Sequence, residues 1–146
     1  MMDALVEQTA FMDELTKVSR KMRTLFDARV KEQGLTLARA RILLLLAKTD
    51  GMTQSQLAEA LEVEQPSVVS LIDALEKTGL VLRCAVEGDR RAKAIHLTDL
   101  AREQADNLLS YIAELRRQVL GGIGKSDLAA ATRVLQQVSG KIGALV

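Results

Sequence analysis

The sequence predicts a mainly α-helical fold carrying one small β-hairpin, and three observations predict it. Between Thr53 and Thr98 two short amphipathic helices joined by a tight turn are followed by two strand-like runs around Glu87-Gly88-Asp89. On either side of that unit, apolar residues recur at alternating steps of three and four, the spacing of long amphipathic helices. A stretch from Leu37 to Ala47, apolar almost all round at Ile42-Leu43-Leu44-Leu45-Leu46, reads as a helix buried between the other parts.

In chain order, the first helix carries Phe11, Leu15, Val18, Met22, Leu25 and Arg29 or Val30 along one stripe. The second begins near Thr36. The third has unusually complete start signals: Thr53 and Gln56 form a T-x-x-Q capping box, with Met52 and Leu57 placed as a hydrophobic staple. Leu57, Ala58 and Leu61 are its apolar face, and Glu62-Val63-Glu64 is the turn. The fourth opens at Gln65-Pro66, with proline where no amide donor is needed. Its Val68, Leu71, Ile72 and Leu75 face inward, and Gly79 supplies the left-handed residue that ends it. The strands are then Val81 to Val86 and Ala92 to Leu97, with Ile95 and Leu97 on one face, Ala94 and His96 on the other, and Asp89-Arg90-Arg91 near the tip. Two further stripes follow, at Ala101, Ala105, Leu108, Ile112, Leu115 and Val119 and at Leu128, Ala131, Leu135, Val138, Ile142 and Leu145. Gly121-Gly122-x-Gly124 separates these last two helices, and Ser126 is read as the N-cap of the second.

With its apolar residues inward, the fourth helix turns Pro66, Ser70, Asp73 and Lys77 outward, with Gln65 and Ser67 at its N-terminal end. Short polar groups and free amides in that arrangement suit base edges and phosphates. Helix-turn-helix spacing alone leaves an ordinary solvated face equally open. The hairpin decides: Arg90 and Arg91 at its tip, with Lys93 beside them, suit a narrow, electronegative minor groove. Asp89 is expected to hold the Arg91 guanidinium in one orientation.

The net charge of +1 hides a polarity. From Thr16 to Lys48, nine basic residues face only Asp27 and Glu32; from Thr53 to Leu80, Glu59, Glu62, Glu64, Asp73 and Glu76 face only Lys77. Phosphate contact is therefore expected from the wing and the basic stretch, with Thr36 and Thr53 at two helix starts, while the acidic lobe lowers non-specific affinity.

Glu64-Gln65-Pro66-Ser67, the helix end Leu75-Glu76-Lys77-x-Gly79-Leu80, and Asp89-Arg90-Arg91-Ala92-Lys93 followed by Leu97-Thr98 resemble the MarR family of winged-helix regulators, and within it the SlyA-like subgroup. The resemblance covers roughly the whole chain. It implies a single MarR-type domain over 1–146, mainly α with a small β-wing: a winged helix-turn-helix lobe at 36–98, and dimerisation helices at 1–33 and 99–146 that interlock with a second copy. The apolar stripes favour the same homodimer over a monomeric bundle. One departure is Ser70, where SlyA-like proteins usually carry arginine, so the operator is not transferable from them. The resemblance further implies a crevice for phenolic or aromatic carboxylate ligands, lined here by Arg20, Arg23, Ala40 and Leu44. The residues leave open a simpler role for Arg23, a surface pair with Asp27 four positions on.

The remaining expectations are exclusions and alternatives. Aromatic content of 2% gives no stacking platform for single-stranded nucleic acid or sequence-specific RNA. One cysteine excludes an internal disulfide and fits a reducing cytoplasm; Cys84 is read as a small packing residue in a wing strand. One histidine, His96, cannot build a metal cluster or a Cys/His nucleophile pair. No catalytic grouping, cofactor, metal or membrane span is expected. The expected function is a homodimeric regulator binding double-stranded DNA and modulated by a small aromatic acid. A ligand-independent anti-silencing activator and a winged-helix protein–protein module are the alternatives, the second kept open by the acidic lobe.

Overall fold

The computed structural model describes residues 1–146 as six helices and three strands: α1 (Met2–Glu32), α2 (Leu37–Lys48), β1 (Met52–Thr53), α3 (Gln54–Leu61), α4 (Gln65–Lys77), β2 (Val81–Val86), β3 (Asp89–Leu97), α5 (Asp99–Leu120) and α6 (Lys125–Leu145). The chain forms two compact units, Met1–Leu109 and Ser110–Val146, and the division falls inside α5.

In the first unit, local signals and burial agree. Thr36 caps α2 by accepting the Arg39 amide at 3.2 Å. The capping box of α3 is complete: Thr53 Oγ1 accepts the Gln56 amide at 3.2 Å, and Gln56 Oε1 accepts the Thr53 amide at 2.9 Å. Between α3 and α4 the turn depends on Glu62 in the left-handed conformation, φ 57°. No glycine announces that turn; the Glu62 and Val63 amides close it onto the carbonyls of Glu59 and Ala58. Gly79, φ 77°, stands just beyond the last helical residue of α4.

The core gathers Ile42, Leu43 and Leu46 of α2, Leu57 of α3, Val68, Ile72 and Leu75 of α4, Val81 of β2 and Ile95 of β3, all fully buried. Val30 of α1 and Ala101 and Leu108 of α5 join it, and Met52 and Leu71 pack on its margin. A helix pair this short buries little by itself, so the sheet and the flanking helices complete the core.

The sheet has three strands, ordered β1-β3-β2 and antiparallel throughout, where the sequence predicts a two-stranded hairpin. β1 is two residues long, too short for any alternation to show, and its Thr53 also caps α3. The strand after the turn begins at Asp89 rather than Ala92. Asp50 fastens the base of this sheet: Oδ1 accepts the Leu97 amide at 3.0 Å, while Oδ2 lies 2.9 Å from His96 Nδ1 and 2.9 Å from an Arg102 nitrogen of α5. Gly51 beside it has φ +80°, and a Cβ there would stand 3.0 Å from the His96 ring.

The second unit is the end of α5, a glycine turn and α6. Gly122 has φ 86°, and a Cβ at Gly121 would lie 2.5 Å from the Arg117 carbonyl, so both glycines are required by the turn. Gly124, not Ser126, is the N-cap of α6; the helix starts one residue before the serine, whose side chain makes no cap. α6 has no buried residue. Its Leu135, Ile142 and Leu145 are exposed, as are Leu5, Val6, Val18 and Leu25 along α1. No helix is long and apolar enough to cross a membrane.

Candidate nucleic-acid interface

α4 presents Gln65, Pro66, Ser67, Ser70, Asp73 and Lys77 to solvent, opposite its buried Val68, Ile72 and Leu75. The 3.6-residue period dictates this division once the three aliphatic side chains are in the core. Gln65 is tied back to α3, whose Ser55 hydroxyl lies 3.4 Å from its Oε1. Thr36 is exposed and Thr53 half-buried, each with its side chain already engaged in a cap.

The wing is irregular where its cations are. β2 and β3 stay in register from Val81↔Leu97 to Ala85↔Lys93, and the next pair is Val86↔Asp89. One step along β2 is therefore matched by four along β3, which leaves Arg90, Arg91 and Ala92 without cross-strand partners. A bulge of this kind bends its strand and re-aims its side chains. Arg90, Arg91 and Lys93 are all exposed. Asp89 does not pair with the Arg91 guanidinium as expected. Its Oδ1 accepts the Arg91 backbone amide at 3.0 Å, a bond that shapes the bulge and leaves the guanidinium free to reach outward. Cys84 is exposed on β2 rather than packed, because its neighbour Arg83 takes the inward-facing position.

Arg83 is the side chain that the sequence reading missed. Its Nη2 donates to Asp73 Oδ1 at 2.6 Å, its Nη1 to Glu76 Oε1 at 3.0 Å and its Nε to Gln54 Oε1 at 3.0 Å, with the Val69 carbonyl 3.4 Å from Nη2. One guanidinium thus joins β2 to α3 and to the middle of α4. It also corrects the acidic lobe: two of that lobe's carboxylates are paired by a cation just past the Thr53–Leu80 window. The available signal was an arginine at an inward position of a strand that follows an acidic helix face.

The residues expected to line a ligand crevice do not come together. Arg20 and Arg23 are exposed on α1 and border a shallow depression of about 530 Å³ with Leu15, Thr16 and Ser19. Ala40 is fully buried in the core and Leu44 packs on its margin, so neither borders that depression. Arg23 does not pair with Asp27 either; Asp27 pairs with Lys31 at 3.2 Å.

A family model described as MarR family matches residues 33–92, which hold the α2–α4 helices and most of the wing. Among solved structures, the transcriptional regulator PA3341 is 38% identical with a TM-score of 0.79, the match covering 92% of this chain and 98% of that one. The Streptococcus pneumoniae FabT–DNA complex matches at 18% identity and a TM-score of 0.85, over 94% of this chain and 99% of that one. The S. aureus MepR–DNA complex matches at 22% identity and a TM-score of 0.78, over 87% and 94%. The last two are likenesses of fold. Given the capped helix pair, the wing and a 38% identical regulator covered almost end to end, this chain belongs to the MarR family of winged-helix, DNA-binding transcriptional regulators.

Proposed function

We propose that the protein acts as a homodimer that binds a pseudo-palindromic double-stranded DNA operator, with α4 in the major groove and the wing in the adjacent minor groove. The observation that carries this reading is the bulge, which frees Arg90 and Arg91 from the ladder of a wing whose β2 strand is tied to α4 through Arg83. Gln65, Pro66, Ser67 and Ser70 then approach base edges, and Lys77, Lys93, Thr36 and Thr53 meet the backbone. The lobe at 36–98 reads DNA, while the helices at 1–33 and 99–146 pair two copies through the apolar stripes that α1 and α6 leave exposed. Two-fold symmetry sets the recognition helices one DNA turn apart, roughly 34–36 Å. The E-Q-P-S helix start and D-R-R-A-K wing favour the SlyA-like type. FabT and MepR in DNA complexes lend the reading support by analogy of fold.

A small aromatic or phenolic carboxylate is the proposed effector. Arg20 and Arg23, at the rim of the α1 depression, supply its charge partner, and Ala40 is withdrawn from the site because it has no surface to offer. Binding that prefers one separation of the two reading lobes shifts the dimer toward or away from operator spacing. A gel shift of purified protein against genomic fragments at two salt concentrations tests the function. Discrete retarded fragments at low salt, with a few surviving at higher salt, are expected. Uniform weak binding that salt abolishes, or none, contradicts it.

A further inference from the structure

A wing that contacts DNA through Arg90 and Arg91 makes no use of Arg83. Its side chain is 19% exposed, against 62% for Asp73 and 43% for Glu76. Asp73 and Glu76 stand three positions apart on α4, so both negative charges share one helix surface, bordering the Ser70 and Lys77 face. Duplex DNA carries one negative charge per about 1.7 Å of axis, and two bare carboxylates held against it oppose docking. The guanidinium lies within hydrogen-bond distance of both and reduces the charge of the trio from −2 to −1. Its planar fork lets one residue serve both carboxylates, the Gln54 amide oxygen and the Val69 carbonyl; a lysine, as a point charge, cannot.

We propose that Arg83 is a positioning residue for DNA binding that works by masking charge: from within the protein, and without touching DNA, it holds Asp73 and Glu76 in a half-neutralised arrangement that lets α4 approach the phosphates. The inference rests on the DNA-binding reading above. The carboxylates are liabilities that Arg83 halves, not contacts.

The test compares wild type, R83M, the double variant D73N/E76Q and the triple variant R83M/D73N/E76Q. Each is titrated against a fluorescent duplex selected by the wild-type protein from a random pool, with folding followed by circular dichroism. R83M is expected to bind about tenfold or more weakly, with the gap narrowing as salt screens the repulsion. The triple variant is expected to recover to within about threefold of wild type, since a removed repulsion needs no mask. A folded R83M whose loss the triple variant does not recover overturns the proposal and leaves Arg83 a purely structural tie. Should R83M not fold, D73N/E76Q decides: binding equal to or tighter than wild type supports masking, and a loss of more than about threefold overturns it. Wild-type protein that selects no duplex overturns the functional reading and this inference together, an outcome distinct from an unrecovered R83M.

Discussion

Two side chains carry opposite kinds of burden at the sheet. Arg91 is exposed, so on the proposed reading its replacement is expected to act on binding alone. Arg91→Ala is expected to weaken operator affinity by about 1–3 kcal/mol with unchanged thermal stability. Asp89→Ala is expected to cost less affinity, because Asp89 holds only the Arg91 amide. Titration of a labelled duplex checks both, and an unaffected Arg91→Ala contradicts the minor-groove role. Asp50 carries stability. Burial works to raise its pKa, but the hydrogen bonds to His96 and the Leu97 amide and the charge of Arg102 outweigh burial and hold the carboxyl below the usual carboxylate range. The folded state therefore favours the ionised form. Its stabilisation is complete above the ordinary carboxylate pKa and is lost as pH falls through the lower folded value. Asp50→Asn is expected to cost about 1–3 kcal/mol near neutral pH, as the Leu97 amide loses a charged acceptor and Arg102 its partner. Urea melts of both proteins from pH 7 downward should show the difference shrinking toward the acid end. A constant difference contradicts the ionised role.

Elements whose signals are local were legible in the sequence. The α3 capping box, the proline that opens α4 and the glycine after its end each act within a turn of chain, and each is found where its residues predicted. Thr53→Ala removes the acceptor for the Gln56 amide and is expected to lower stability by about 1 kcal/mol in a denaturant melt. A value near zero means that tertiary packing alone fixes the start of α3. What the sequence concealed depends on register or on distant partners. β1 is too short to alternate, and the bulge is a mismatch between two strands that neither strand shows alone. Arg83 reads as one more strand residue until α4 lies across from it. The same limit applies to the interface: the outward face of α4 follows from helical period, whereas its charge depends on a residue of another element. On the proposed reading, Ser70 is where specificity is most open to change. Ser70→Arg is expected to shift the motif selected from a random DNA pool and to steepen the salt dependence by about one phosphate contact. An identical motif and slope mean that Ser70 does not face the groove.

At the scale of the molecule, the exposed aliphatic residues of α1 and α6 demand cover. The proposed cover is a second copy, since a two-fold axis lets each stripe meet the partner's equivalent surface. Ile142 is 54% exposed in the single chain and is proposed to be buried in the pair. Ile142→Asp is expected to reduce the sedimentation mass from two chains to one, or to unfold the protein, because an unpaired carboxylate in an apolar interface is costly. A dimer unaffected by this change contradicts the assignment of α6 to the interface. On the proposed reading, dimerisation also decides what DNA binding means, since one reading lobe offers half of a site. Single-nucleotide footprinting on a duplex selected by the wild-type protein, with the stoichiometry of the complex measured by sedimentation, tests whether two copies read one operator. Two chains per site are expected, with two symmetry-related major-groove protections centred about 10 base pairs apart, each with minor-groove protection from a wing beside it. One unrepeated protection, or a complex containing a single chain, contradicts it.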